Sequence, residues 1–263
     1  MTAAQRSYAI VTGASSGIGL ELAKQFAAHD FDVLMVAEDD GITEAAASVG
    51  SGSATEALQL DLTEREAVER LWAHATASGR PVDAVAINAG VGNAGAFVDT
   101  SLDRDLELIA LNVSSAVHLA KRVLPGMVAR GQGRVLFTSS VAATMPGPYY
   151  ATYAASKAFV QSFAEAVRDE VADAGVVVTA LMPGPTDTKF FARARMWGSR
   201  ADAGPKDDPA VVARDGFEAL MAGKEHVVGG AARNTVQAVL GKLLPQKLTA
   251  KLHGSQAKPG TAD

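Results

Sequence analysis

A glycine-rich loop near the beginning of the sequence constrains the fold more than any other stretch. The apolar run Tyr8–Val11 has the length of a short strand, and apolar residues with helical spacing follow the loop from Leu20 to Ala27. The loop itself, Thr12–Gly19, reads TGASSGIG, with the glycine spacing G-x-x-x-G-x-G. Glycines let the backbone turn tightly and approach a pyrophosphate, and the following helix offers free N–H groups and the positive end of its dipole. A strand, a glycine loop and a helix in this order predict an α/β protein that binds a phosphate-containing cofactor.

The rest of the chain continues to alternate short apolar runs with helical patterns. Such alternation predicts a parallel sheet with helices on both faces, here a doubly wound three-layer α/β fold of the Rossmann type in a single domain. We place the catalytic domain at residues 1–229, with a substrate lid at about 189–208, and an amphipathic extension at 230–263 whose last dozen residues are expected to be disordered. Right-handed crossovers bring the carboxyl ends of all strands to one edge of the sheet. The predicted strands are Tyr8–Val11, Phe31–Ala37, Leu58–Leu60, Val82–Ile87, Val135–Thr138, Val176–Leu181 and His226–Val228.

Two local patterns add detail to this outline. Thr63 and Glu66 have the spacing of a capping box, which predicts that a helix begins beside them. A long helical pattern then covers residues 101–129 and carries Asn112 in its middle, where an amide side chain costs helix propensity and tends to hydrogen-bond locally.

Composition and charge exclude several classes of function. The 263 residues carry a net charge of −5 and a pI of about 5.6, which does not favour nucleic-acid binding. The sequence contains no cysteine and its five histidines lie far apart, so no metal site is expected. The first residues lack a signal-peptide pattern, and no apolar run approaches the roughly 18 residues that a membrane span needs. We therefore expect a soluble cytoplasmic protein without metal or membrane span.

A second group of residues has the chemistry of proton transfer. Ser140 follows the predicted strand Val135–Thr138, and Tyr153 and Lys157 lie one turn apart on the next predicted helix. A free tyrosine has a pKa of about 10, and a nearby ammonium lowers it by favouring the phenolate. Ser140 could hold an oxygen that Tyr153 also contacts. Tyr-x-x-x-Lys alone is usually an ordinary helix pair, but its place beside the carboxyl edge of the sheet favours proton transfer to or from an alcohol or carbonyl oxygen.

The end of the second predicted strand bears on the choice of cofactor. Glu38, Asp39 and Asp40 follow it, about twenty residues after the glycine loop, where an acidic residue binds the ribose 2′-hydroxyl of NAD. A carboxylate there would repel the 2′-phosphate of NADP. No arginine or lysine stands in the loop or directly after the strand to attract that phosphate. The pattern favours NAD over NADP, the alternative being that the three acidic residues form a solvated turn.

Taken together, these motifs resemble the short-chain dehydrogenase/reductase family over roughly residues 6–229. The resemblance rests on Thr12–Gly19, Asp61-Leu62, the NAG sequence at Asn88–Gly90, Asn112, Ser140, the Tyr153-x-x-x-Lys157 pair and PGPTDT at Pro183–Thr188. It implies that Tyr153 is the general acid/base, that Ser140 positions the substrate oxygen, and that Lys157 binds the nicotinamide ribose and tunes Tyr153. It also implies that Asn112 holds a water of a proton relay.

The resemblance further implies the residues that contact the cofactor. The glycine loop would face the pyrophosphate, Asp61 and Leu62 the adenine, and Thr188 the carboxamide. Many members carry a basic residue in or after the glycine loop or second strand, where this chain has Ser16, Glu38 and Asp39. The expected cofactor-binding residues are Gly13, Ser15, Ser16, Gly17, Ile18, Gly19, Glu38, Asp61, Leu62, Asn88, Ala89, Gly90, Tyr153, Lys157, Pro183, Gly184, Thr186 and Thr188.

Three functions are compatible with these features. The leading hypothesis is an NAD-dependent oxidoreductase that acts on a secondary alcohol or ketone. A second is a 3-oxoacyl-(acyl-carrier) reductase in which Arg193, Arg195 and Arg200 meet a phosphopantetheine arm, and a third is a cofactor-sensing scaffold without chemistry. The residues expected around the substrate are mostly apolar, which favours an apolar substrate: Val91, Ala142, Ala143, Met145, Tyr149, Tyr150, Phe190 and Trp197.

Partners are expected on two surfaces. The helix face opposite Tyr153 and Lys157 is small and apolar, which predicts either a place in the core or, as the favoured interpretation, a contact in a homodimer or homotetramer; it comprises Ala155, Ala158, Phe159, Ser162 and Ala166. The extension from Gly230 replaces the glycine-rich ending that is frequent in the family. Its apolar stripe and its lysines predict that it folds back or packs on another subunit, with a surface role on membranes as the alternative.

Overall fold

The computed structural model describes residues 6–50, 52–194 and 203–258, and the seven strands in these residues form one parallel sheet. The strands are β1 (Ser7–Thr12), β2 (Phe31–Ala37), β3 (Thr55–Gln59), β4 (Ala84–Ile87), β5 (Gly133–Thr138), β6 (Val176–Pro183) and β7 (His226–Gly229). Their order is β3-β2-β1-β4-β5-β6-β7, and every neighbouring pair is parallel. The chain winds outward in opposite directions from β1 and β4, so a crevice opens between their carboxyl ends, as is usual for this topology.

Helices cover both faces of the sheet. They are α1 (Gly17–Ala28), α2 (Gly41–Ser48), α3 (Arg65–Thr76), α4 (Leu102–Ile109), α5 (Ala116–Arg130), α6 (Ala151–Val171), α7 (Phe190–Arg193), α8 (Pro209–Met221), α9 (Ala232–Leu243) and α10 (Gln246–Ala257). Helices α3, α5 and α6 pack on one face, and α1, α2 and α8 pack on the other. This architecture confirms the predicted doubly wound, three-layer fold of the Rossmann type.

The core lies on both sides of the sheet because parallel strands are covered on both faces. Along β1, Ile10 points into one apolar cluster while Ala9 and Val11 point into the other. On the second side, the rings of Phe26 in α1 and Phe217 in α8 meet edge to face, with 5.1 Å between their centroids. The sheet is therefore held rigidly from both faces, and the ends of its strands form a fixed platform.

The helical pattern at 101–129 folds as two α-helices joined by a π-helical turn, Ala110–Ser115. Turns of this kind occur often at functional sites, because they rotate one side chain out of the regular helical register. Asn112 lies in the turn, and its amide Nδ2 donates to the Val91 carbonyl (2.9 Å) while its Oδ1 accepts from the Val91 N–H (2.9 Å). The turn thus fixes the loop that follows β4 onto the helix.

The predicted capping box does not form. Helix α3 begins at Arg65, and its cap residue Glu64 makes no side-chain cap hydrogen bond. The Thr63 hydroxyl instead donates to Asp61 Oδ1 at 2.7 Å, and the Thr63 N–H donates to the same oxygen at 2.9 Å. The prediction was wrong because the carboxylate two residues earlier binds the hydroxyl and the N–H in a turn of its own.

The extension folds back on the rest of the chain as two consecutive helices, α9 and α10, which are joined at Leu244 and Pro245 and are together called the hairpin. Asn234 in α9 donates to Asp207 at 2.6 Å and to the Gly229 carbonyl at 2.9 Å. At the other end, His253 in α10 contacts the Pro146 carbonyl at 3.0 Å. The end of the chain was expected to be disordered, but α10 continues to Ala257, and residues 259–263 lie outside the described part. No helix in the described residues is long and apolar enough to cross a membrane.

Candidate active site

One cavity lies at the carboxyl edge of the sheet, and its wall contains most of the residues predicted from the sequence. Two of them are not in the wall, Asp61 and Asn112. Asp61 is exposed, and its carboxylate accepts the hydrogen bonds from Thr63. The predicted residues that the wall does contain are Gly13, Ser15, Ser16, Gly17, Ile18, Gly19, Glu38, Leu62, Asn88, Ala89, Gly90, Ser140, Tyr153, Lys157, Pro183, Gly184, Thr186 and Thr188.

The glycine loop forms one end of the cavity, and its conformation requires glycine. Gly13 and Gly17 have φ angles of +66° and +57°, which side chains disfavour. A Cβ on Gly13 would lie 2.8 Å from the Cα of Ala89, and a Cβ on Gly19 would collide with the Gly13 carbonyl. Ser16 precedes α1 without a side-chain cap hydrogen bond, so the first N–H groups of this helix are not capped by that side chain. A loop without side-chain bulk that leads into such a helix fits a pyrophosphate.

A set of hydrogen bonds ties the ends of three strands together beneath the cavity. Asn88, at the end of β4, donates from Nδ2 to the Thr12 carbonyl at 3.1 Å. The Thr12 hydroxyl accepts from the N–H groups of Asn88 and Ala89, both at 3.0 Å, and the Thr138 hydroxyl donates to Asn88 Oδ1 at 3.0 Å. The NAG sequence is therefore fixed to β1 and β5 as well as to its own strand.

Ser140, Tyr153 and Lys157 meet at the other end of the cavity. Ser140 follows β5, and its hydroxyl accepts from the Ala142 N–H at 3.1 Å and hydrogen-bonds the Tyr153 phenol. Lys157 is buried and donates to the Thr138 carbonyl at 2.8 Å, with its Nζ 5.9 Å from the centroid of the Tyr153 ring. The serine and the tyrosine can thus share one substrate oxygen, with an ammonium one helical turn away.

Asn112 stands behind these residues rather than in the cavity. Its side chain is 2% exposed and binds Val91 and the Ser156 hydroxyl, the latter at 3.0 Å. A Cβ on Gly90 would lie 3.2 Å from both Asn112 Oδ1 and Lys157 Nζ, so Gly90 passes between the two. The Asn112 side chain therefore positions the loop after β4. Its implied role of holding a water molecule in a proton relay stays a prediction.

Burial shifts the two titrating groups in opposite directions. It raises the pKa of Tyr153 to about 12, although the hydrogen bond with Ser140 opposes the shift. It lowers the pKa of Lys157 to about 8. We expected the lysine to lower the pKa of the tyrosine, and this expectation was wrong. The ammonium is directed at the Thr138 carbonyl, and the cost of a buried phenolate dominates.

The acidic turn after β2 lies in the cavity wall, but it is not free of basic residues. Asp39 accepts from the Ser15 hydroxyl at 2.7 Å and pairs with Arg193 of α7 at 3.3 Å. Although burial opposes its ionisation, the Ser15 hydrogen bond and Arg193 lower the pKa of Asp39 overall. Partial burial at the cavity wall, together with the neighbouring acids, raises the pKa of Glu38 against the effect of Arg193, although the residue as a whole is exposed. The sequence has no basic residue in the glycine loop or directly after β2, but Arg193 and Lys189 approach the turn from far along the sequence.

The side of the cavity nearest Tyr153 is apolar and aromatic. The ring of Phe190 lies 5.2 Å from that of Tyr153, and Val91, Ala142 and Tyr150 also line the wall. The other described residues expected on this side, Ala143, Met145 and Tyr149, are not in the wall. Arg195, Trp197 and Arg200 lie outside the described residues, together with the rest of positions 195–202 of the predicted lid.

Several charged or polar wall residues were not predicted as cofactor contacts from the sequence, among them Lys189, Arg193, Gln237 and His253. His253 contacts the Tyr150 hydroxyl through Nε2 and the Pro146 carbonyl through Nδ1, and burial lowers its pKa. Nothing near Gln237 or His253 in the sequence marks them as site residues, since they reach the cavity only when the hairpin of α9 and α10 folds back. The expected fold-back was the one signal that could have directed attention to them.

Comparison with known proteins agrees with this geometry. A family model described as short chain dehydrogenase matches residues 7–198. The oxidoreductase UcpA of Salmonella typhimurium is 33% identical over 215 residues, which cover 81% of this chain and 79% of the relative. A very-long-chain 3-oxoacyl-CoA reductase of Laccaria bicolor is 30% identical over 187 residues, which cover 66% of this chain and 53% of the relative.

Solved structures show the same similarity. A short-chain dehydrogenase from Sphingobium yanoikuyae in complex with NADPH is 28% identical and superimposes with a TM-score of 0.79, over 84% of this chain and 87% of that one. The matches do not always extend over the whole of a relative. Two further curated relatives are matched over only 62% and 63% of their own length.

Proposed function

Because the chain belongs to the short-chain dehydrogenase family, we propose that it is an oxidoreductase that interconverts a secondary alcohol and a ketone with a nicotinamide cofactor. The observation that carries this proposal is the meeting of the glycine loop with Ser140, Tyr153 and Lys157 in a single cavity. A scaffold without chemistry would not need all three side chains around one position. Their presence there favours catalysis over cofactor sensing.

The residues of the wall fit a dinucleotide. The glycine loop would hold the pyrophosphate, Asn88–Gly90 and Lys157 the nicotinamide ribose, and Pro183–Thr188 the carboxamide. When bound, the nicotinamide supplies or accepts the hydride. Phe190 and the apolar wall around it would exclude water from the reacting atoms.

Tyr153 and Ser140 carry out the proton chemistry in this proposal. With a pKa of about 12, the Tyr153 phenol is protonated at neutral pH, so it can donate its Oη proton to the oxygen that becomes negative during reduction. The Ser140 hydroxyl hydrogen-bonds the same oxygen and orients it. Lys157 is mostly charged at pH 7 because its pKa is about 8, and its ammonium stabilises the phenolate that remains. In oxidation the phenolate accepts the proton instead.

We propose NAD as the preferred cofactor. The charge of Arg193 is engaged by Asp39, which leaves the exposed Glu38 carboxylate to accept hydrogen bonds from the adenosine ribose. The solved relative that holds NADPH supports a nicotinamide cofactor in general. The choice between the two forms then depends on the turn after β2.

The apolar wall supports an apolar ketone or alcohol as substrate. A 3-oxoacyl thioester is a second candidate, since the Laccaria relative is named for reduction of such a substrate. Of the arginines proposed to meet its phosphopantetheine arm, Arg193 pairs with Asp39 on the cofactor side of the cavity. This pairing favours the simple ketone over the thioester.

We also propose that the enzyme is a homodimer or homotetramer. The face of α6 that was expected to contact another subunit is exposed; it comprises Ala155, Ala158, Phe159, Ser162 and Ala166. The mass in solution of the protein and of an Ala158→Glu variant tests this assignment. A smaller mass for the variant is expected, and an unchanged mass excludes this face as the contact.

The exchange Tyr153→Phe tests the mechanism. Loss of the phenolic oxygen should reduce kcat for ketone reduction by about 10²–10⁴, the usual contribution of one general acid, while the Kd of NADH changes little. Tyr149→Phe is the matched control, because it removes the same atom from a neighbouring tyrosine outside the cavity wall. Near-complete turnover in Tyr153→Phe would refute the mechanism. The function itself would be refuted if the wild-type protein converted none of a panel of ketones and alcohols with either cofactor.

A further inference from the structure

Helix α9 exposes a stripe of large apolar side chains, while two of its smaller residues are buried. Val236, Val239, Leu240 and Leu243 are 47–75% exposed, and their spacing i, i+3, i+4, i+7 places them in one stripe. Asn234 and Ala238 are buried on the opposite side. A helix whose stripe served only the core of this chain would be oriented the other way, so the stripe is suited to an external contact.

The hairpin also differs from the rest of the chain in charge. Residues 231–263 contain five basic residues and one acidic residue, Asp263, a net charge of +4, whereas the other 230 residues carry −9 within the total of −5. Lys247 and Lys251 of α10 are exposed, and Leu248 between them is 45% exposed. The hairpin therefore combines apolar side chains with positive charge on an otherwise acidic protein.

We propose that the hairpin of α9 and α10 is a docking surface for a membrane containing anionic phospholipids. Apolar side chains beside lysines are the composition of helices that lie in the membrane interface, where acyl chains receive the apolar groups and anionic headgroups attract the basic ones. A second copy of the hairpin would bring like charges together. The acidic remainder of the molecule is repelled by the same headgroups, which orients the protein with its hairpin toward the bilayer.

This docking would place the cavity close to the lipid. Gln237 of α9 and His253 of α10 line the cavity from the inner side of the hairpin whose outer side carries the stripe. A substrate dissolved in the bilayer would then have a short path to the cavity. The docking itself is independent of catalysis and is tested by binding alone.

Cosedimentation of the full-length protein with phosphatidylcholine vesicles, with and without phosphatidylglycerol, tests the proposal. Binding is expected to the anionic vesicles and to decrease with salt. Lys247→Gln with Lys251→Gln should weaken it about 25-fold, since each basic residue near an anionic surface contributes a factor of about five. Val239→Ser with Leu243→Ser should weaken it about 10- to 100-fold, because two apolar side chains no longer enter the interface.

Matched variants elsewhere on the surface serve as controls. Lys121→Gln with Lys224→Gln removes the same charge, and Val128→Ser with Leu102→Ser removes the same apolar groups from positions 41% and 70% exposed. Both should bind like the unmodified protein. The proposal would be overturned if the unmodified protein did not bind anionic vesicles, or if the hairpin and control variants lost binding equally. It would also be overturned if the protein formed an oligomer that did not bind vesicles and that dissociated in the variant Val239→Ser with Leu243→Ser. The last result would assign the stripe to a second copy of the chain.

Discussion

Replacing Glu38 by glutamine should raise the affinity for NADPH and lower that for NADH. Glu38 is exposed at the rim of the cavity, so its interaction with a 2′-phosphate is close to that in water, about 1 kcal/mol per pair of unit charges at 4 Å. A phosphate carries about −1.5 to −2 charges, which makes the repulsion about 1.5–2 kcal/mol, or about 10- to 30-fold in Kd. Glu38→Gln should therefore improve NADPH binding by this factor. It should weaken NADH binding by about 10-fold or less, because a neutral amide replaces a charged acceptor.

The ion pair of Asp39 and Arg193 supplies a second way to change this preference. Asp39→Asn would release the guanidinium, now 3.3 Å from the carboxylate, to attract a phosphate. Asp39→Asn should consequently improve NADPH binding as well, and the gain should disappear when Arg193→Gln is added. A double-mutant cycle with these two exchanges measures that coupling directly.

Fluorescence titration of NADH and NADPH at low and high salt measures all of these Kd values. Asp40→Asn is the matched control, because Asp40 is the adjacent exposed acid and does not line the cavity. The reasoning is refuted if the unmodified protein binds NADPH more tightly than NADH. It is equally refuted if Asp40→Asn changes the affinities for NADH and NADPH by the same factors as Glu38→Gln. The effect would then come from the net charge of the protein and not from the position of Glu38.

Two further predictions concern the substrate side of the cavity. Because burial lowers the pKa of Lys157 to about 8, kcat/KM for ketone reduction should be constant below that pH and fall above it as the ammonium is lost. A pH–rate profile in which kcat/KM instead decreases as the pH is lowered contradicts this role. His253→Ala should raise KM for bulky ketones and leave the Kd of NADH unchanged, because His253 lines the cavity and supports Tyr150. Equal changes in both constants, measured by steady-state kinetics and titration, would show that His253 acts on the fold as a whole.

Much of the fold could be predicted because its signals are local. Each strand is a short apolar run followed by a polar or glycine-rich turn, and the rule for right-handed crossovers brings these turns to one edge without any knowledge of distant contacts. The glycine loop, Glu38, Asp61, Asn88, Ser140 and Pro183 were brought together by this rule alone. All of them except Asp61 line the cavity in the structure.

The parts that could not be predicted depend on contacts between distant residues. Asp39 and Arg193 are 154 positions apart, so the sequence shows an acidic turn without the cation that lies beside it. The π-helical turn at Asn112 has no signature in hydrophobic spacing, because its register is set by the bonds to Val91. His253 enters the site from a hairpin whose position depends on the packing of the whole extension.

The opposite pKa shifts of Tyr153 and Lys157 together set the net charge of the site before the reaction. At neutral pH burial leaves the tyrosine neutral, with a pKa of about 12, and the lysine mostly charged, with a pKa of about 8, so the pair carries close to one positive charge. In the proposed reduction, hydride transfer places one negative charge on the substrate oxygen, and the pair already holds the charge that balances it. An environment of low dielectric strengthens this attraction where the charge develops, while the alcohol that results is neutral. A phenolate formed before the substrate binds would remove that advantage, and for this reason a raised tyrosine pKa suits reduction better than the lowered one expected from the sequence.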